Sequence, residues 1–169
     1  MSRQRFTKFT NLIIDFFGQL SAYALISLMV ITTIDVFMRY LLNQGSVAFQ
    51  ELEWHCFSAV FLLGSAYTLK CDQHVRVDIF FKSKFYSKRT CKLVDVLGTL
   101  LFLLPFCGLI VWTSGTFVLD SFHYSETSPD PGGLTHRWVV KSLIPLGFSL
   151  LCIQGLVTAL TAFRERSKA

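Results

Sequence analysis

The chain has 169 residues, enough for one domain, and is 52% hydrophobic with 17 Phe against only 16% charged. Soluble domains carry about 25% charged residues. With a mean hydropathy of +0.49, and with charges clustered between long uncharged runs, the composition excludes an ordinary soluble domain and points to an all-α integral membrane protein. The formal net charge of +5 does not imply nucleic acid, because the basic residues flank apolar runs, where anionic headgroups account for them.

Met1 to Asn11 is polar and basic (Arg3, Arg5, Lys8), and an apolar run follows from Leu12 to Ile34. The run exceeds the 7–15 residues of a signal-peptide core and no small-x-small cleavage site follows it. It therefore reads as a retained first transmembrane helix, about 12–38, with Asp15 near its start and Asp35 and Arg39 as an i,i+4 pair at its far end. Asn43-Gln44-Gly45-Ser46 marks a turn. The second apolar run, Trp54 to Leu69, is the shortest; extended back through Val47, Ala48 and Phe49 it gives a span over about 48–69, with Glu51 and Glu53 near the headgroups and Trp54 in an interfacial belt.

The stretch Lys70 to Lys92 holds seven of the 16 Lys and Arg residues: Lys70, Arg76, Lys82, Lys84, Lys88, Arg89 and Lys92. Within it Val75 to Ile79 alternates like a strand, while Val77, Phe80, Phe81 and Phe85 also share a helical face onto which Lys84 and Lys88 intrude. Periodicity does not decide between the two, and a short interfacial segment in the headgroup plane suits the mixture of Phe and snorkelling Lys. A third span, about 93–119, has Pro105 mid-way, where a kink is expected. The loop 120–137 is rich in turn residues (Ser128-Pro129, Asp130-Pro131, Gly132-Gly133), and a fourth span over about 138–163 runs into the basic tail Arg164 to Lys168.

Basic loops stay on the cytoplasmic side. With both termini and the 70–92 loop inside, that side holds the three N-terminal basic residues, the seven of the loop, and Arg164, Arg166 and Lys168. Only Arg39, Arg137 and Lys141 lie towards the other side. The expected architecture is a single domain, 1–169, of four transmembrane helices with both termini cytoplasmic and a periplasmic loop at 120–137.

Chemistry is sparse. Charged residues lie near expected helix ends, whereas ion-coupling sites call for ionisable groups well inside spans, and no pair of half-length, Gly/Pro-broken segments points to a substrate site. Of the histidines (His55, His74, His123, His136) only His55 falls within a span, which disfavours axial haem ligation. Cys71-x-x-His74 with Cys91 lacks a fourth zinc ligand, and Cys56, Cys107 and Cys152 lie in apolar runs as small hydrophobes. Neither a catalytic residue nor a cofactor or metal is expected. What remains is surface for other helices: Gly18-x-x-x-Ala22, Gly64-x-x-x-Thr68 and Gly155-x-x-x-Ala159 have the small-x-x-x-small spacing of close helix approach.

Arg39-Tyr40, Glu51-Leu52-Glu53-Trp54, Leu63-Gly64-x-Ala66 and His74-Val75-Arg76-Val77-Asp78, in that order on a four-span chain, resemble the small membrane subunit (the Q component) of TRAP transporters, the tripartite ATP-independent periplasmic carriers. Ser128-Pro129-Asp130-Pro131-Gly132-Gly133-Leu134 with Arg137-Trp138 and Lys141 resembles a subset of the same family. The resemblance implies a scaffold subunit in the bacterial inner membrane, partnered by a large membrane subunit (M) that holds substrate and sodium sites, and by a periplasmic substrate-binding protein. Imports would be organic acids, with a leaning to small mono- or 2-oxo-carboxylates over dicarboxylates or sialic acids. On this view Glu51, Glu53, Asp120, Glu126 and Asp130 face the binding protein, the basic loop sets the topology, and His74 and Asp78 fasten that loop. The competing classes are a stand-alone four-helix carrier or assembly factor, and a haem-binding membrane oxidoreductase subunit.

Overall fold

The computed structural model describes residues 3–71 and 96–167, and helices account for most of them. Among these described residues four long helices are formed: α1 Arg3–Leu41, α2 Val47–Lys70, α3 Val96–His123 and α4 Trp138–Ser167. Each overlaps one of the four segments expected to be helical. The central basic segment with His74, Arg76, Asp78, Lys82, Lys84, Lys88, Arg89 and Lys92 lies outside the described residues, as does the conformation expected for it.

Three of the helices, α1, α3 and α4, are long and apolar enough to cross a membrane. With 24 residues α2 is long enough, at about 36 Å. Its polar start (Glu51, Glu53, His55) and its Ser, Thr and Tyr residues make it less apolar. Packing explains how it can be so. In the bundle α1 packs on α2, α2 on α4, and α4 on α3, with a lesser contact between α1 and α4. Thus α2 is flanked by protein on two sides and needs less lipid-compatible surface than α1 or α3.

Among the described residues α1 and α2 exceed their expected spans at both ends, and α3 and α4 at their C-terminal ends. Nothing in Thr7 to Asn11 interrupts helical hydrogen bonding, so α1 begins at Arg3 rather than Leu12. It stops at Leu41, where the N–H groups of Leu42 (3.2 Å) and Gln44 (3.0 Å) fold back on the Met38 carbonyl and Asn43 takes φ 53°. Around Pro105, where a kink is expected, the backbone makes a local adjustment. A π-helical turn, Thr99–Leu103, precedes the proline, and the Leu104 N–H donates to the Thr99 carbonyl. The extra residue in that turn re-routes the hydrogen bonding just ahead of a residue with no N–H. Pro145 lies inside α4 without ending it.

Directions follow from cross-helix pairs. Lys70, at the end of α2, meets Asp15 of α1 at 2.5 Å, and Glu51, at the start of α2, meets the loop before α4. The start of α1, the end of α2, the start of α3 and the end of α4 therefore share one end of the bundle. The other, or loop, end carries residues 42–46 and 124–137.

Close approach is made by small residues. A Cβ on Gly147 would lie 2.7 Å from the Leu62 carbonyl oxygen, one on Gly18 2.6 Å from the Tyr67 ring, one on Gly64 2.8 Å from Ser21 Oγ, and one on Gly155 2.6 Å from Leu103 of the π-turn. The expected glycines thus do face neighbouring helices, but Ala22 and Thr68, their companions in two spacings, are exposed. Gly147, whose contact is with backbone, was signalled by no spacing. Between α1 and α2 the Ser21 hydroxyl donates to the Val60 carbonyl at 3.0 Å, and Ile14, Leu63, Ala66 and Leu150 form the buried cluster where α1, α2 and α4 meet.

Candidate functional site

The loop end is built from short-range rules. Beyond α3 the Tyr124, Ser125 and Glu126 N–H groups return to the carbonyls of Asp120 (2.9 Å), Phe122 (3.1 Å) and Ser121 (3.0 Å), with Ser125 at φ 45°. Asp130-Pro131-Gly132-Gly133 then turns back, the Gly133 N–H donating to the Asp130 carbonyl at 3.1 Å. Proline in second place and Gly132 at φ 82° are the marks of a type II turn. The Ser128 N–H donates to the Leu134 carbonyl and the Arg137 N–H to that of Glu126, each at 3.1 Å. These two bonds close the neck of a compact loop.

Two side-chain ties hold this loop down, and a ring contact joins the helices that flank it. Glu51, reaching up from α2, accepts the Ser128 hydroxyl on Oε1 and the Leu134 N–H on Oε2, the latter at 2.5 Å. Ser128 Oγ in turn accepts the Asp130 N–H at 3.2 Å. Glu126 pairs with Lys141 of α4, whose ammonium sits 4.0 Å from the centroid of the Phe117 ring. That pairing holds the Glu126 carboxyl below its ordinary range. Phe122 of α3 meets Trp138 of α4 edge-on, 5.4 Å between centroids.

The five acids expected to form an outer face are gathered at this end, in unlike settings. Glu51 and Glu126 spend their carboxylates on internal bonds. Asp120 and Asp130 are exposed, and Glu53 is half-buried, with Oε1 lacking a partner among the described residues. Beside them Arg39 pairs with the buried Asp35. With its amide oxygen turned towards the guanidinium, Gln50 accepts from Arg39 Nη2 (2.6 Å) and Nη1 (3.1 Å). Trp54 is 75% exposed, and Gly64 lies at the opposite half of α2 against Ser21. Lys70 belongs to the other end, on Asp15 and, at 3.4 Å, the Asn11 carbonyl. The ties of Glu51, Lys70 and Lys141 were not foreseen. For Glu51 and Lys70 the partners lie 55 or more positions away in sequence, beyond any periodic signal. Among the described residues no three His, Cys, Asp or Glu side chains could jointly hold a metal ion.

Residues 28–165, from the middle of α1 through this loop to the end of α4, match the family described as tripartite ATP-independent periplasmic transporters, DctQ component. The chain belongs to that family. It is a small TRAP permease subunit, a transporter component and not an enzyme. One relative, the C4-dicarboxylate TRAP transporter small permease protein DctQ of Rhodobacter capsulatus, is 33% identical over 96 residues. The match covers 57% of this chain and 40% of that relative's length.

Proposed function

We propose that this small permease subunit is the fixed scaffold of a sodium-driven carrier for organic acids in a bacterial inner membrane. A large multi-span subunit holds the substrate and sodium sites and moves against it, and a periplasmic binding protein delivers the substrate to the loop end. All four helices span, α2 shielded by α1 and α4, with both termini cytoplasmic. The observation that carries this reading is the family match over 28–165, which takes in both ends of the bundle. The surface supports it: α1 and α3 turn large apolar residues such as Phe16, Met29, Phe102 and Trp112 outwards, as a body embedded in lipid and against other helices requires.

The substrate is a carboxylate. The relative's name specifies C4-dicarboxylate transport, whereas the Ser128 to Leu134 wording leans towards a small mono- or 2-oxo-carboxylate for this chain. The choice between them is made by the partners, which contact the substrate.

Solubilised in mild detergent from its native membrane, the chain should co-purify with a multi-span protein of about a dozen helices. Reconstituted alone, it should move no carboxylate under a sodium gradient; with both partners it should support uptake. Sodium-driven uptake by the lone chain would overturn the scaffold reading in favour of a stand-alone carrier, and bound haem in the absorption spectrum would replace it with an oxidoreductase subunit.

A further inference from the structure

Resting on that reading, we infer that Glu51 is a positioning residue that clamps the 124–137 loop over α2, and that the clamped loop is the surface on which the binding protein docks. A carboxylate near the start of a helix ordinarily faces water or the helix's own N–H groups. Glu51 does neither. Each of its oxygens accepts from a different strand of the loop, Oε1 from the Ser128 hydroxyl and Oε2 from the Leu134 N–H. Ser128 and Leu134 are themselves joined by the 3.1 Å backbone bond across the loop. One side chain therefore fixes both limbs of the turn that carries Asp130.

The packing around the clamp leaves no slack. A Cβ on Gly133 would meet Ser128 Oγ and Cβ, and would lie 2.9 Å from Glu51 Oε2. Gly133 is thus the residue whose missing side chain lets the carboxylate reach its two donors. Its place beside Gly132, which supplies the positive φ of the turn, gives the Gly-Gly pair two separate duties. The loop's other side-chain tie runs to α4, through Glu126 to Lys141, while Phe122 on Trp138 joins the ends of α3 and α4 that flank it. The Glu51 clamp joins the loop to α2, on the other side. With it closed, Asp130 in the loop and Asp120 at the end of α3 are exposed on a surface held from both sides.

Because docking onto a preformed loop avoids the entropy of ordering it, loosening the clamp should weaken capture of the binding protein without unmaking the bundle. Three variants reach the clamp by different routes. Glu51→Gln keeps size but can no longer accept on both sides. Ser128→Ala removes one donor. Gly133→Ala keeps every donor and acceptor but wedges them apart. In proteoliposomes holding the two membrane subunits, the binding-protein concentration giving half-maximal uptake should rise about tenfold in each, the effect of losing one charge-assisted hydrogen bond. Uptake at saturating binding protein and yield of the complex should be unchanged. The Glu51→Gln and Ser128→Ala effects should be less than additive in the double variant, and hydrogen exchange at the Leu134 amide should speed up in all three. Faster exchange with an unmoved half-maximal concentration would overturn the docking role while leaving the scaffold reading intact. Exchange unchanged in every variant would overturn the clamp itself. Uptake by the unaltered complex without any dependence on binding protein would remove the scaffold reading and this inference together.

Discussion

Glu126 shows how a single residue's environment is tested. It lies in the loop, outside the membrane-spanning segments, and the Lys141 ammonium holds its carboxyl below the ordinary value of 4.5. A carboxylate with a depressed folded pKa contributes stability that is complete above the unfolded value and is lost as pH falls through the folded one. The tie to α4 should therefore persist through pH 4.5 and open only below it. The Arg137 amide, which donates to the Glu126 carbonyl, reports on this. Its exchange, compared with Glu126→Gln at matched pH, should stay protected at pH 4.5 and lose protection at lower pH in the unaltered chain only. An acid step at or above pH 4.5 would show that the ion pair does not form. Glu126 is partly exposed, so solvent screens the pair and its effect on global stability should be small.

Among the elements, the crossing of α2 and α4 is where backbone meets backbone. The Leu62 carbonyl that faces Gly147 also accepts the Ser65 hydroxyl at 2.9 Å, so that carbonyl is held and cannot yield. Gly147→Ala should destabilise the bundle by about 1–3 kcal/mol, the usual cost of overpacking. Gly18→Ala should cost less, because the Tyr67 ring it meets is an exposed side chain that can turn. Gly108 and Gly115 of α3 have open space where a Cβ would go. Their alanine variants should lose nothing and gain up to about 1 kcal/mol from helix propensity. Thermal unfolding in detergent ranks all four, and a Gly147→Ala bundle as stable as the parent would refute the crossing. Hydrogen bonds such as Ser21 to Val60 add about 0.6 kcal/mol each in such bundles, so fit between backbones, rather than polar glue, governs this contact.

For the molecule as a whole, charge marks depth. Asp15, paired with Lys70, and Asp35, paired with Arg39, lie twenty residues apart on α1, or about 30 Å along the helix. That matches the hydrocarbon thickness of about 30 Å, and it leaves the first turns of α1, with Arg5 and Lys8, beyond it. If the basic end is cytoplasmic, a cysteine placed at position 130 in an otherwise cysteine-free chain should react with an impermeant maleimide on intact cells. One at position 8 should react only after permeabilisation; the reverse pattern would invert the topology. Reversing Arg76, Lys82 and Lys84 together to Glu should lower the amount of inserted complex, and unchanged levels with unchanged uptake would count against the basic loop as the topology anchor.

Much of this was already legible in the amino-acid order. Long uncharged runs bounded by Arg and Lys fix four helices, because a bilayer admits few other solutions for an apolar backbone, and the ordered wording from Arg39 to Asp78 is specific enough to mark the family. Helix ends were less legible: α1 outruns its apolar stretch because no residue before Leu12 opposes a helix, and the π-turn ahead of Pro105, with Leu103 packed against Gly155, has no periodic signal in sequence. The roles of individual acids were not legible at all. Glu51 and Asp130 look alike in sequence, yet one carboxylate is consumed by donors 77 and 83 positions away while the other stays exposed. Local pattern sets which segments become helices, since those interactions span only a few residues. Which glycine meets a backbone, and which carboxylate is spent inside, was decided only when the helices came together, because those partners are neighbours in space alone.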